Sequence, residues 1–235
     1  MVRLVVVDVN ETLFSLDQIV SRMAEVGLAG RFDAWFASVV RDGVAAAAAG
    51  RFARLGDLAG YHLEVLLSDE RAEAAPVDPE ATSLRSVSVR EAVDHVLAGF
   101  EHLVPHPDVA AGLRALRAAG IRAVALTNGA ADLTRRNLDR AGLAPLIHAV
   151  HDVAEVGRWK PAPEPYRSVL TAHATEAADA AMIAVHPWDV LGGQAVGMVG
   201  AWLDRRGAPY PAAYGAPDVS GADLPTLVDR LIGRR

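Results

Sequence analysis

The sequence of 235 residues contains no cysteine, and only one of its 23 basic residues is a lysine. Without cysteine, disulfides, thiolate catalysis and cysteine-based metal sites are excluded. The net charge of −6 lacks the basic excess that is typical of nucleic-acid-binding proteins. No apolar run approaches the roughly 18 residues of a membrane span, and no secretory signal pattern opens the sequence. These absences favour a cytoplasmic protein that binds neither nucleic acid nor membrane.

The composition is that of a folded chain with a substantial core. Hydrophobic residues make up 51% of it, and the mean hydropathy is +0.19, which excludes disorder as a description of the whole. The one lysine, Lys160, lies in a segment with three prolines in six residues, which restricts the backbone around it. Because arginine supplies all the other positive side chains, the lone Lys160 is either a coincidence of composition or a position where a compact ammonium serves and a planar guanidinium does not.

Continuous apolar runs, typical of strands buried on both faces, recur along the chain. They predict strands at 4–7, 121–126, 146–150 and 180–185, and more weakly at 198–203. Helical patterns alternate with them at 108–117, with Asp108 as the capping residue, and at 130–141, 163–174 and 224–232. Alternating strands and helices predict an α/β fold with a parallel sheet that is covered by helices on both faces.

Residues 15–100 interrupt this alternation. Their apolar residues follow helical spacing throughout and offer no convincing strand, while 75–87, with two prolines and several Ser and Thr, is predicted to be a loop. We therefore predict an α/β core formed by residues 1–14 and 101–235, with an all-helical domain inserted at 15–100 after the first strand.

Polar residues follow the predicted strands, and open parallel sheets bind their ligands at the carboxyl ends of the strands. Lys160 and Tyr166 stand before and within a helix that follows one of the strands. The candidate site therefore combines these two with the residues at strand ends, which are Asp8, Asn10, Thr12, Thr127, Asn128, His186 and Asp189.

These residues resemble the motifs of a known family. In order and spacing, Asp8-Val9-Asn10-Glu11-Thr12-Leu13, Thr127-Asn128-Gly129, Lys160-Pro161 and Trp188-Asp189 are similar to the four motifs of the haloacid dehalogenase (HAD) superfamily. One such motif would be a weak signal, but four together are specific. The superfamily has a Rossmann-like core with a helical cap inserted after the first strand, in agreement with the arrangement that the periodicity predicts.

The resemblance implies a role for each catalytic position. Asp8 would be the nucleophile and form an aspartyl ester that water later hydrolyses. Thr127 and Asn128 would orient that carboxylate or the substrate, and Lys160 would neutralise charge beside it. Asp189 would hold Lys160 or help to activate water.

Several positions separate the branches of the superfamily. Phosphatases carry a second aspartate two residues after the nucleophile, and this second aspartate protonates the leaving group. This chain has Asn10 at that position, and an amide can act neither as an acid nor as a base. They also place a Mg²⁺ carboxylate directly after the last motif strand, where this chain has Val185. Tyr166 and Pro187-Trp188-Asp189 resemble the 2-haloacid dehalogenase branch. The resemblance therefore implies a hydrolase that releases halide from an (S)-2-haloacid to give a 2-hydroxy acid, with no metal and no cofactor.

The resemblance also implies the substrate contacts. We expect a small carboxylate substrate to be bound by Asn10, Thr12, Asn128, Tyr166, His186 and Trp188. The dehalogenase branch uses a cap arginine for the halide or carboxylate, and that position is Phe36 here. Arg41, five residues later, is the candidate to replace it, although a surface ion pair is the alternative. For His186 and Trp188 the alternatives are a strand-end histidine and plain packing.

Two other functions stay open at the level of sequence. One is a Mg²⁺-dependent phosphatase in which His186 supplies the acid–base group that Asn10 cannot supply. The other is a non-enzymatic binding protein on the same scaffold, which the complete set Asp8, Thr127, Lys160 and Asp189 argues against. Dimers are common in the dehalogenase branch, so a homodimer is expected by resemblance, with no interface specified by the sequence.

Overall fold

The computed structural model of the protein describes residues 1–73 and 88–234, and the loop predicted at 75–87 lies outside the described residues. The strands are β1 (Leu4–Val7), β2 (Phe14–Ser15), β3 (Val104–Pro105), β4 (Arg122–Thr127), β5 (Ala149–Asp152), β6 (Ala180–Ala184), β7 (Val199–Leu203) and β8 (Val219–Gly221). The helices are α1 (Asp17–Glu25), α2 (Phe32–Ala48), α3 (Leu55–Glu73), α4 (Val89–Leu97), α5 (Val109–Ala118), α6 (Ala131–Arg140), α7 (Pro163–Ala172), α8 (Pro187–Ala195) and α9 (Leu224–Gly233). None of these helices has the length and apolar character needed to span a bilayer.

Six of the strands form one parallel sheet in the order β5-β4-β1-β6-β7-β8. The first strand is central, and its Val5 pairs with Ala123 of β4 on one side and with Ala181 of β6 on the other. All four residues of β1 are buried, as their uninterrupted apolar character predicts. The chain therefore leaves β1 at the middle of the carboxyl edge of the sheet, where Asp8 follows. The predicted α/β fold is confirmed.

The sequence pattern located five of the six sheet strands and missed the sixth. Strand β5 begins at Ala149, later than predicted, because Ala144–Leu146 with its proline forms a 3₁₀ turn instead. Strand β8 has only three residues, one of them Gly221, and carries no apolar run to reveal it. Helix α8 was also missed, because its two glycines weaken the helical pattern.

The interruption after β1 is helical, as predicted, and contains α1 to α4. Its two ends meet in a short antiparallel pair in which Phe14 faces Pro105 and Ser15 faces Val104. This pair was not predicted, since two-residue strands carry no periodic signal. The helical segment also contacts the core through Trp159, whose indole Nε1 donates to the Ala53 carbonyl at 2.7 Å.

Asp108 precedes α5 as expected, but its side chain does not cap that helix. The carboxylate instead accepts hydrogen bonds from Arg205 Nη1 at 2.9 Å and from the backbone N–H of Leu224 at 2.7 Å. A charged partner and the first turn of another helix offer this carboxylate stronger interactions than a cap would. The residue thus joins α5 to α9 and to the segment after β7.

Candidate active site

The fold brings the polar residues that end neighbouring strands to one place. Asp8 follows the central strand β1, and Thr127 is the last residue of β4. His186 precedes α8, and Asp189 lies in its first turn. Lys160 reaches the same point from the loop before α7, and the cluster is completed by Thr12, Asn128 and Tyr166.

Lys160 is the fully buried centre of the cluster. Its Nζ donates to Asp8 Oδ1 at 2.7 Å, to Asp189 Oδ2 at 2.7 Å and to the carbonyl of Leu126 at 2.9 Å, which satisfies all three ammonium donors. Burial alone would lower the pKa of Lys160, but the charges of Asp189 and Asp8 and their hydrogen bonds outweigh it and raise that pKa above its usual value. The residue is therefore a fixed cation.

Asp8 is held as a carboxylate. Its Oδ1 accepts from Lys160, and its Oδ2 accepts from the hydroxyl of Thr12 at 2.6 Å. Thr12 is itself oriented by the backbone N–H of Val185, which donates to its Oγ1 at 3.1 Å. Burial tends to raise the pKa of Asp8, but the charges of Lys160 and His186 and the two hydrogen bonds lower it below 3.8. The oxygen atoms are thus ionised and aimed by their partners.

Asp189 differs from Asp8 in being entirely enclosed. Its Oδ2 accepts from Lys160, and its Oδ1 accepts from the hydroxyl of Tyr166 at 2.5 Å. Burial, together with the charge of nearby Asp8, raises the pKa of Asp189 above its usual value despite Lys160. Burial and the Asp189 charge in turn raise the pKa of Tyr166 well above 10.0, so it stays a donor. A Cβ at Gly192 would overlap the Tyr166 ring, so the close approach of α8 requires glycine there.

The residues after β4 support the lysine loop. The side-chain Oδ1 of Asn128 accepts from the backbone N–H of Lys160 at 3.0 Å. Thr127 is buried, and its Oγ1 accepts from the backbone N–H of Gly129 at 2.9 Å. Asn128 therefore positions Lys160, while Thr127 shapes the turn beside Asp8.

His186 lies on the opposite side of Asp8 from that turn. Its Nε2 is 4.0 Å from Asp8 Oδ2 and 3.5 Å from Glu11 Oε2, and its side chain is 16% exposed. The imidazole stacks on Trp188 with ring centroids 5.0 Å apart. Phe36 of α2 contacts the other side, with ring centroids 6.0 Å apart. His186 and Trp188 are thus both at the site, and Phe36 of the helical segment lies next to His186.

Two cavities flank the cluster between the core and the helical segment. The larger, of about 910 Å³, is lined by Glu11, Val185 and His186 and by residues of α1 and α2. The smaller, of about 280 Å³, contacts Asn10, Thr127 and Asn128 on the other side. Its remaining wall is mainly apolar and includes Leu55, Phe100, Leu103 and Leu133. Both cavities are therefore lined by neighbours of Asp8, although Asp8 itself lines neither of them.

The structure does not bring Arg41 to this cluster, contrary to expectation. Five residues along an α-helix rotate a side chain by about 500°, or about 140° away from Phe36, which faces the site. The guanidinium of Arg41 instead pairs with Asp42 at 2.7 Å, and its side chain is 66% exposed. The surface ion pair, the alternative interpretation of Arg41, is what the structure contains.

Among the charged residues that line the cavities, Arg54 and Glu11 were not predicted as site residues by the sequence analysis. Arg54, just before α3, lines the smaller cavity and forms no ion pair with any residue that the structure describes. Glu11 lines the larger cavity and has a φ of 61°, which is uncommon for any residue but glycine, asparagine and aspartate. For Glu11, the available sequence signal was its position inside the first motif. Arg54 lies in none of the motifs, so no signal pointed to it.

The donor set at the strand ends offers little to a divalent cation. Both Asp8 oxygens are engaged by Lys160 and Thr12, and Val185 stands where a carboxylate would be needed. Across residues 1–73 and 88–234, no three histidine, aspartate or glutamate side chains are arranged to hold a metal ion. The residues present therefore do not fit a Mg²⁺ centre.

Comparison with known proteins assigns this arrangement to a class and a family. A family model described as "Hydrolase: haloacid dehalogenase-like hydrolase" matches residues 2–197, which is most of the chain. The protein is accordingly a hydrolase with an α/β core. It belongs to the haloacid dehalogenase-like hydrolase family, which confirms the resemblance found in the four motifs.

Curated relatives differ in their activities. The chain is 37% identical over 121 residues to a phosphoserine phosphatase of Thermus thermophilus, covering 51% of this chain and 48% of that protein. It is 28% identical over 129 residues to haloacetate dehalogenase H-2 of Moraxella sp., covering 55% of this chain and 58% of that protein. The chain thus spans about half to three fifths of the length of these relatives.

Solved structures show the same fold over the whole chain. The L-2-haloacid dehalogenase of Xanthobacter autotrophicus, solved with chloropropionic acid covalently bound, has a TM-score of 0.80. It is 22% identical, and the match covers 100% of both chains. The Rossmann-like core with its surrounding helices is therefore shared with this enzyme.

Proposed function

We propose that the protein is a 2-haloacid dehalogenase that works through an ester on Asp8 and needs no metal. The observation that carries the proposal is the pairing of an ionised, buried Asp8 with Asn10 two residues later. A carboxylate held by Lys160 is a nucleophile, and an amide cannot protonate a leaving group. Halide departs as an anion and needs no proton, whereas an alkoxide does.

In the first step, a carboxylate oxygen of Asp8 attacks the halogen-bearing carbon in line. The C–O bond forms as the C–halogen bond breaks, and the halogen leaves with the bonding electrons. Lys160 and Thr12 hold the carboxylate in one orientation, with donors 2.7 and 2.6 Å from its oxygens. The reaction inverts the configuration of the carbon, as a displacement from the rear requires.

The second step restores Asp8 by hydrolysis. Water adds to the Cγ of the ester, the bond to the substrate oxygen breaks, and a 2-hydroxy acid leaves. Lys160 stays close to Asp8 throughout and stabilises the negative charge that develops on the ester oxygen. The helical segment borders both cavities at the carboxyl edge of the sheet and limits the access of bulk water to the site.

We propose that Arg54 binds the substrate carboxylate, in place of Arg41. Arg54 lines the smaller cavity together with Asn10 and Asn128. The two arginines of the larger cavity are engaged, Arg205 with Asp108 and Arg206 with Glu11. The guanidinium of Arg54 therefore remains available to an anion.

The test is halide release from both enantiomers of 2-chloropropionate, measured with and without EDTA. We expect release from the (S) enantiomer, an undiminished rate in EDTA, and a product of inverted configuration. Asp8→Asn serves as the inactive control, because the amide is isosteric and cannot form the ester. A purified protein that releases no halide from a broad panel of 2-haloacids would refute the proposal.

A phosphatase is the second candidate, and the similarity to the Thermus phosphoserine phosphatase favours it. It would require another group to protonate the leaving alkoxide, and His186 is the titratable side chain facing Asp8. Release of inorganic phosphate from phosphoserine, stimulated by Mg²⁺, would decide for this activity. Release of halide together with no phosphate at any Mg²⁺ concentration would exclude it.

A further inference from the structure

The turn that carries Thr12 is held by residues from distant parts of the chain. The carbonyls of Glu11 and Leu13 both accept from His106, from its Nε2 at 2.9 Å and from its backbone N–H at 3.0 Å. Between them, the carbonyl of Thr12 accepts from Arg205 Nη2 at 2.9 Å. The conformation of this turn, in which Glu11 has a φ of 61°, is therefore maintained by partners outside it.

Arg205 is itself held in one orientation. Its Nη1 donates to both carboxylate oxygens of Asp108 at 2.9 Å, and Asp108 also accepts from the backbone N–H of Leu224 at the start of α9. Its Nε is buried and has no hydrogen-bond partner among residues 1–73 and 88–234. The contacts with Asp108 and Thr12 therefore fix the guanidinium, and they join the segment after β7 to the turn after β1.

Thr12 transmits this constraint to the nucleophile. The residue is fully buried, its hydroxyl donates to Asp8 Oδ2 at 2.6 Å, and its Oγ1 accepts from the backbone N–H of Val185 at 3.1 Å. The hydroxyl and the carbonyl belong to one residue, so a hydrogen bond that fixes the carbonyl also restricts where the hydroxyl lies. A displacement of a reacting group by about 1 Å can cost about 100-fold in rate.

We propose that Arg205 is a positioning residue for Asp8, because it holds the carbonyl of Thr12 and so keeps the Thr12 hydroxyl on Asp8 Oδ2. This inference rests on the proposed function, in which that carboxylate attacks the substrate. Asp108 orients Arg205 and belongs to the same arrangement. Arg205 lies 193 residues after Thr12, outside the four motifs, so only the fold brings it to the nucleophile.

A double-mutant cycle in the full-length protein tests whether Arg205 acts through Thr12. Halide release from (S)-2-chloropropionate in the first turnover is measured for Arg205→Met, Thr12→Val and the double variant, after urea titration has shown that each is folded. We expect Thr12→Val, which removes a hydrogen bond to a charged group, to lower the rate about tenfold or more. Arg205→Met should lower it about three- to tenfold. The double variant should match Thr12→Val within about twofold, because the two residues act in series.

The pKa of Asp8 gives a readout that a loss of stability alone would not move. Burial raises this pKa, whereas the charges of Lys160 and His186 and the hydrogen bonds from Lys160 and Thr12 lower it. Releasing Thr12 should therefore raise the pKa of Asp8, measured without substrate by ¹³C NMR titration of its carboxyl carbon. Arg205→Lys should show the same rise, because it keeps the positive charge but lacks the forked geometry of the guanidinium. It also replaces Arg205→Met in the cycle if that variant does not fold.

Arg230→Met is the matched control, because Arg230 also donates to a backbone carbonyl, that of Ser220 at 2.7 Å, and lines neither cavity. It should leave the first turnover and the pKa of Asp8 as in wild type. Losses that multiply in the double variant, or an unchanged first turnover and pKa in both Arg205 variants, would overturn the inference. No halide release from wild type would refute the proposed function. A raised pKa of Asp8 in the Arg205 variants would then still establish the positioning, and an unchanged pKa would overturn it as well.

Discussion

Replacing Lys160 by arginine tests whether the site requires an ammonium or only a positive charge. Three acceptors surround one nitrogen at 2.7, 2.7 and 2.9 Å, and the side chain has no exposed surface. A guanidinium spreads its donors over a planar fork and cannot direct three N–H groups from one atom. The larger group must also displace its neighbours, because the slot is closed on every side.

The structure sets the size of the expected effect. Overfilling a closed site costs about 1–3 kcal/mol, and losing one hydrogen bond to a charged group costs about 1.5–3 kcal/mol. We therefore expect Lys160→Arg to lower the free energy of unfolding by roughly 2.5–6 kcal/mol. A displacement of Asp8 by about 1 Å should lower kcat about 100-fold. Lys160→Met, which leaves two buried carboxylates without their cation, should cost about 3–5 kcal/mol.

The assay combines urea unfolding with halide release from 2-chloropropionate on the same preparations. Arg158→Lys is the matched control, because it makes the reverse exchange two residues away in the same loop and outside the cluster. The control should keep wild-type activity and stability within about 0.5 kcal/mol. Near-normal turnover in Lys160→Arg would refute the reasoning and reduce the lone lysine to a coincidence of composition.

Three further outcomes follow from the site. Tyr166→Phe removes the hydroxyl that donates a hydrogen bond to Asp189. This variant should lower the free energy of unfolding by about 1–3 kcal/mol in urea titrations. Its kcat should be reduced by a larger factor than its KM is raised. Because the pKa of Asp8 is lowered from 3.8, the acid limb of kcat/KM in brief pH jumps should lie below pH 3.8. The stability that this carboxylate contributes is present above 3.8 and is lost as the pH falls through its folded-state pKa. Arg54→Gln should raise KM for 2-chloropropionate about tenfold or more and leave kcat nearly unchanged, whereas Arg51→Gln, outside the cavity, should change neither.

The parallel core was predictable because most of its strands are continuous apolar runs in the sequence. A strand buried on both faces must be apolar at every position, as β1 and β6 are throughout and β4 is between Arg122 and Thr127. The elements that were missed lack this signal: β8 is three residues long, and α8 contains two glycines. Those glycines are explained only in three dimensions, since a Cβ at Gly192 meets Tyr166 and a Cβ at Gly193 meets Met182.

The residues of the candidate site also fall into two groups: some lie in short sequence motifs, and others are brought to the site only by the tertiary structure. Short motifs with a recognisable spacing contain four of the site residues, Asp8, Thr127, Lys160 and Asp189. These residues could therefore be predicted from a single sequence, before any geometry was known. Arg41 could not be judged, because its direction depends on which face of α2 turns to the core. Arg54 and Asn10 are more than 40 positions apart in sequence, and only the arrangement of the helical segment on the sheet brings them to the same cavity.

The two sides of Asp8 differ in their access to solvent, and the two steps that we propose differ in what they require. On one side, Lys160, Asp189 and Tyr166 are buried, which strengthens the attraction between the Lys160 ammonium and the Asp8 carboxylate. On the other side, His186 and Glu11 are partly exposed and line the larger cavity. The displacement of halide needs an ionised and oriented carboxylate, whereas the hydrolysis of the ester needs water to reach it. The buried cluster therefore fits the first step of the proposed reaction, and the partly exposed side fits the entry of water for the second.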